Sequence, residues 1–185
     1  MHVASWQVTY RGVVPDAVLD GTDLLAGRRR LWQWWLGPAA PAGHAAWVAE
    51  VDGEVVAFAD VLPSQDDDAD GSTGEVPMIY ALPRAWGSGA GRELMATAVA
   101  GLRDAGCHTV TLWVLDSNAR ARRFYERAGF RPDGATKSEQ NAGTSMTEVR
   151  YRRELCAAPI SPATISAERT TSGSPPPGCD EPPTR

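Results

Sequence analysis

A chain of 185 residues with 43% hydrophobic and 22% charged residues can build one domain of ordinary size around its own core. Its formal net charge of −5 argues against a general nucleic-acid binder. No apolar run is long enough to span a membrane, MHVASWQVTYRG lacks the pattern of a secretory signal, and Cys107, Cys156 and Cys179 form no CxxC pair; a cytoplasmic protein with no membrane partner is expected.

Residues 3–12 suit a short helix with Trp6 and Tyr10 four apart on one face. Pro15-Asp16 opens a second helical stretch. From Thr22 to Leu36 the pattern is helical again, with Leu24, Leu25, Leu31, Trp32 and Trp35 on a broad apolar face and Arg28, Arg29 and Arg30 read as solvated. Gly37-Pro38 stops it. AAWVAEV (45–51) and EVVAFADVL (54–62) flank Asp52-Gly53, a two-residue hairpin signal. PSQDDDADGSTG (63–74) reads as a solvated acidic loop, with a weak claim to attracting a cationic substrate.

EVPMIYALPRAWGSGAGREL (75–94) reads as a strand, a glycine-rich turn and the first turn of a helix that continues to Ala105 with Leu94, Met95, Ala98, Val99 and Leu102 inward. HTVTLWVL (108–115) is a strand. Asp116-Ser117-Asn118 offers caps to a helix ending at Gly129, Phe130-Arg131 begins an extended segment, Asp133-Gly134 marks a turn, and 144–155 is a last strand. This order gives an α/β (α+β) domain over 1–155. Residues 156–185, rich in Pro, Ser and Thr, are expected to be disordered.

Gly87, Gly89 and Gly91 leave backbone N–H groups at a helix N-terminus, a site for phosphate. A nucleoside-triphosphate loop fails, because Arg92-Glu93 follows Gly91 in place of Lys-Ser/Thr. Neither frame completes GxGxxG, although Asp116 keeps a nicotinamide reading open. The turn PRAWGSGAGREL, followed by LWVLDSNARARRFYERAGF, resembles the Gcn5-related N-acetyltransferase (GNAT) superfamily over roughly residues 3–155. Asn118 and Tyr125 have the seven-residue spacing of its second cofactor-contacting element. Two departures stand out: Trp86 occupies the position of the family's usual Gln or Arg, and the chain enters almost at the first helix, where members begin with a strand.

The resemblance implies a central mixed, mostly antiparallel sheet flanked by helices, with the first strand missing. It implies transfer of acetyl from acetyl-CoA to an amine by direct attack, with no metal and no covalent enzyme intermediate. The alternative is a non-catalytic acyl-CoA sensor on the same fold. Gly87, Ser88, Gly89, Ala90, Gly91 and Arg92 would hold the pyrophosphate, and the backbone of Ile79, Tyr80 and Ala81 the acetyl and pantetheine portion. Asn118 would hold cofactor amides, or cap its helix. An amine with a pKa near ~10 must lose a proton before attack, and Glu75 is the candidate base; it could equally be a strand-end acid facing water. Tyr125 is the candidate acid for the departing thiolate, against a plain core role. The acceptor would be a small amine or a peptide N-terminus, with a homodimer left open.

Overall fold

The computed structural model describes residues 1–21, 23–141 and 144–155, so the expected disordered segment 156–185 lies outside the described residues. Three helices come first: α1 (His2–Tyr10), α2 (Asp16–Leu19) and α3 (Leu24–Trp35). Trp6 and Tyr10 pack against each other on one face of α1, their rings tilted by 33° with centroids 5.3 Å apart. In α3, Trp32 packs edge-on against Phe58 and Trp35 tilts against His44. Two details differ from the sequence expectation. Leu25 is exposed, because it sits about 100° around the helix from Leu24. Arg28 is not part of the solvated face: its guanidinium lies over the Trp6 ring at 5.7 Å, while Arg29 and Arg30 are exposed.

Among the described residues the sheet has six strands in the order β1-β2-β3-β4-β6-β5, namely β1 (Ala45–Val51), β2 (Glu54–Pro63), β3 (Thr73–Ala81), β4 (Thr109–Leu115), β5 (Arg131–Asn141) and β6 (Thr144–Glu154). Only β3 and β4 pair in parallel, joined through α4 (Ala90–Asp104); the other pairs are antiparallel. Asp52 and Gly53 both adopt positive φ, as the tight turn between β1 and β2 requires. Asp133-Gly134 does not end a strand. It makes an irregularity inside β5, between Pro132 and Thr136, where Gly134 takes positive φ and Asp133 accepts the N–H of Ala135. The ladder with β6 resumes on either side, so the dipeptide bends the strand instead of reversing it.

The main core lies where α4 and α5 (Ala119–Arg127) cover one face of the sheet. Leu94, Met95, Ala98, Val99 and Leu102 are all buried there against Ala57, Ala59, Val61 and Val76. Each large side chain so buried contributes about 1.5–3 kcal/mol. On the other face α1–α3 cover β2 and β3, and Trp6, Val14, Leu19, Leu115 and Met146 form a smaller core. No helix among the described residues is long and apolar enough to cross a membrane.

Candidate active site

The parallel pair β3–β4 is short. Thr73, Gly74 and Glu75 pair with Thr109, Val110 and Thr111, and there the ladder stops although β4 continues to Leu115. On its other side β3 stays with β2, from Met78 opposite Asp60 to Ala81 opposite Ala57, after a bulge opposite Asp60–Leu62. Pro77, which has no N–H for a ladder, lies in that bulge. The sheet therefore opens between β3 and β4, and Ile79, Tyr80 and Ala81 line the opening along a backbone edge that faces no strand among the described residues.

Beyond Ala81 a single 3-10 turn (Pro83–Ala85) leads into the glycine turn. Gly87 and Gly89 have φ of 80° and 98°, and Gly89 caps α4 from the left-handed region. Ser88 Oγ donates to Ala85 O at 2.7 Å and accepts from Ala90 N at 3.3 Å, and Ser88 N donates to Ala85 O at 3.3 Å, so two of the expected donors are occupied. The N–H groups of Gly87, Gly89, Gly91 and Arg92 have no acceptor among the described residues. The Arg92 side chain is exposed and pairs with Glu93. Trp86, the departure from the family pattern, donates its indole N–H to Ala81 O at 3.0 Å and carries the Arg120 guanidinium over its ring at 3.1 Å. Arg120 has no carboxylate partner among the described residues, and partial burial lowers its pKa. A cation without a counter-charge thus stands beside the donors of the turn.

Glu75 is the third residue of β3, not its end, and is half-buried. Burial, then the nearby Asp66 charge, pushes its carboxyl above the ordinary range, and Lys137 and Glu148 also act on it. Tyr125, on α5, is buried in the main core against Phe124, Phe130 and Tyr151. Burial raises its phenol pKa, and its next influences are Tyr10 and Glu148. Tyr80, on the opposite face of the sheet, hydrogen-bonds to Tyr10 and in turn feels Tyr125. Phenols from both sides of the sheet are thus near enough for those on each side to raise the pKa of one on the other. Asn118 caps α5: its Oδ1 accepts from Ala121 N at 3.0 Å, leaving its amide nitrogen without a partner among the described residues.

Several features escaped the sequence reading. Asp60 is fully buried on the α3 side of β2, and its carboxyl is pushed up to about 7 by burial and, more weakly, by Glu75. Its neighbour His44 has a side chain only 3% exposed, with Nε2 3.7 Å from Oδ2, beyond hydrogen-bond reach. The signal for Asp60 was a lone acid in the apolar run VVAFADVL (55–62). The acidic loop is also not simply solvated. Asp66 and Asp68 accept from Arg150 at 3.1 and 2.6 Å, Asp133 accepts from it at 2.7 Å, and Asp66 accepts the Trp113 indole N–H at 2.9 Å. Asp116 pairs with Arg122 at the start of α5, so it is engaged locally.

Residues 13–130 match the family model described as the acetyltransferase (GNAT) family. An uncharacterized N-acetyltransferase of Mycobacterium bovis is 30% identical over 122 residues, which cover 66% of this chain and 72% of that protein. A mycothiol acetyltransferase of Thermobispora bispora is 36% identical over 104 residues, 56% of this chain and 34% of the relative. Among solved structures, the ribosomal-protein-alanine N-acetyltransferase of Brucella melitensis superposes with a TM-score of 0.60 at 22% identity, over 83% of this chain and 94% of that one. PaiA N-acetyltransferase of Thermoplasma acidophilum, in complex with coenzyme A, gives 0.58 at 16% identity over 83% and 87%. The structural likenesses show a common fold.

Proposed function

The chain belongs to the acetyltransferase (GNAT) family and is an N-acetyltransferase that uses acetyl-CoA, and we propose that transfer takes place in the opening between β3 and β4. The observation that carries this reading is the parting of the two strands directly after Glu75. It leaves a backbone edge with a candidate base at one end and phenols from both faces around it.

The residues fit the co-substrate. Ile79, Tyr80 and Ala81 offer an edge along which the amides of pantetheine can pair as an added strand would. The N–H groups of Gly87, Gly89, Gly91 and Arg92 suit the pyrophosphate, helped by the helix dipole. Arg120, held on Trp86, supplies the cation that the family's usual Gln or Arg position lacks here. The Asn118 amide nitrogen can donate to a cofactor carbonyl while its oxygen caps α5.

Acetyl-CoA supplies an activated acyl group; the chain must supply a neutral amine. Glu75 takes the amine's proton. Its raised proton affinity makes it a better base than an exposed carboxylate at neutral pH. The Tyr125 phenol, kept protonated by burial, donates toward the departing sulfur. Glu75, Asp66 and Glu148 outnumber Lys137 among the charges acting at this place, which favours an acceptor that arrives as a cation: a small-molecule amine or a peptide N-terminus.

Thiol release measured against a panel of such amines tests the assignment. Glu75→Gln is expected to lower kcat/KM by about 10²–10⁴ and to remove the acidic limb of the pH–rate profile. In the wild type that limb should lie above the ordinary glutamate value near ~4.3. A Glu75→Gln variant that keeps the limb would remove Glu75 from the mechanism.

A further inference from the structure

Of the eighteen basic residues in this chain, seventeen are arginine; Lys137 is the one lysine. It lies on β5 opposite Glu148 of β6, and Glu148 lies opposite Leu115 at the end of β4. These three residues form one row across the sheet, at the level where β3 has already left β4. From there the Lys137 side chain reaches back over the sheet. Its ammonium stands 4.5 Å from the Trp113 ring centroid and 3.2 Å from a Glu148 carboxylate oxygen. Trp113 is two residues beyond Thr111, the partner of Glu75, and Glu75 responds to the charges of both Lys137 and Glu148. Glu148 also acts on Tyr125. A primary ammonium on an unbranched chain therefore lies on the strands beside the opening, over Trp113 and against Glu148, two residues along β4 from the partner of the candidate base.

The hold on it is light. The Lys137 side chain is 41% exposed, and solvent screening leaves an ion pair at such a place weak. The contact with the half-buried Trp113 ring adds a second weak hold. The ammonium is thus kept near the opening without being locked to its partners, as an attacking group must be.

We propose that Lys137 is itself an acetyl acceptor, modified within its own chain by acetyl-CoA bound in the β3–β4 opening. The inference rests on the reading of that opening as the acetyl-CoA site. In the step, Glu75 takes one proton from the Lys137 ammonium, and the freed nitrogen lone pair forms a C–N bond to the acetyl carbon as the C–S bond breaks. The sulfur leaves with the electron pair of that bond and takes a proton from the Tyr125 phenol, and the second proton, which the nitrogen sheds on becoming an amide, restores the phenol. The products are Nε-acetyl-lysine and free coenzyme A, with one proton left on Glu75 to pass to water. A single lysine makes the outcome easy to assign, because Arg cannot substitute for it as a nucleophile near neutral pH.

The test uses the full chain with acetyl-CoA and no added amine, followed by intact mass and peptide mapping, with coenzyme A binding measured separately by calorimetry. The expected result is one acetyl group per chain, on Lys137, appearing with a first-order rate that does not depend on protein concentration. Lys137→Arg should lose the addition while binding coenzyme A as the wild type does, and Glu75→Gln should slow it by about 10²-fold or more. An acetyl group found on Met1 or persisting in Lys137→Arg overturns the proposal, as does a rate that rises with protein concentration. If coenzyme A binds and added amines are acetylated while Lys137 stays unmodified, the proposal fails and the function stands. If coenzyme A does not bind at all, both fail.

Discussion

Asp60 shows what a single residue can cost in this fold. Its carboxyl is fully buried, no side chain among the described residues hydrogen-bonds to it, the backbone N–H groups of Asp60 and Met78 only partly offset the burial, and the His44 imidazole nitrogen is 3.7 Å away. Burial moves its pKa from an ordinary value of 3.8 to about 7. Between those values the folded state holds a proton that the unfolded state has released. Its contribution to stability is therefore complete below the ordinary value and is lost as pH rises toward 7. Above pH 7 the loss is at most about 4 kcal/mol, from a shift of roughly three units. Asp60→Asn should accordingly stabilise the protein more at pH 8 than at pH 5, read as the gap between urea midpoints of variant and wild type. An equal gap at both pH values would mean that Asp60 is already ionised in the folded state at pH 5. The residue was visible in the sequence as a lone acid in an apolar run. Its protonation could not be read there, because the rings and strands that exclude water around it come from His44, Trp35 and β3.

At the scale of elements, the opening between β3 and β4 depends on how closely α4 approaches β3 just before it. A Cβ built on Gly74 would stand 2.5 Å and 3.0 Å from the two Leu102 methyls and 3.1 Å from Cys107 Sγ. Leu102 is itself buried, so it has little room to yield. Gly74→Ala is expected to destabilise by about 1–3 kcal/mol through overpacking, even though alanine ordinarily suits a strand better than glycine. A thermal melt that shows no loss would mean that α4 can slide on the sheet. The two Asp-Gly pairs make the complementary point. Asp52-Gly53, with both φ positive, turns the chain between β1 and β2. Asp133-Gly134, with only Gly134 so placed, bulges a strand that β6 holds on both sides. Identical local chemistry gives a turn in one place and a bulge in the other, because pairing with β6 continues past the second pair.

The whole molecule is tied at Arg150. Its guanidinium gathers Asp66 and Asp68 from the connection between β2 and β3 and Asp133 from β5, and it lies near the Trp113 ring of β4. Its side chain is 9% exposed, and those of Asp66 and Asp133 are each 16% exposed. Arg150→Met would leave those two acids mostly buried without their cation, at a cost of about 3 kcal/mol, measurable as a drop in unfolding free energy in urea. A change within about 0.5 kcal/mol, the range of an ordinary surface substitution, would show that water replaces the guanidinium there. The tie also sets the charge near Glu75, since Asp66 is the strongest single charge acting on it. From sequence the acidic stretch looked like a solvated loop, because nothing local identifies a partner more than eighty residues away.

What the sequence determined by itself is whatever short-range stereochemistry controls. The Asp52-Gly53 turn, the glycine turn ahead of α4, the apolar stripe of α4 and the Asn118 cap all follow from φ preferences, side-chain period and hydrogen bonds within a few residues. The pairing of the glycine turn with the Asn118–Tyr125 spacing was enough to indicate the family. The tertiary structure alone decided where charges lose water and which ones meet. It buried Asp60, turned Arg28 inward, set Arg120 on Trp86, closed Arg150 with three acids and brought the Lys137 ammonium to Trp113 and Glu148. Desolvation and Coulomb interaction depend on distances through space between strands remote in the chain, and no local pattern of residues encodes those distances.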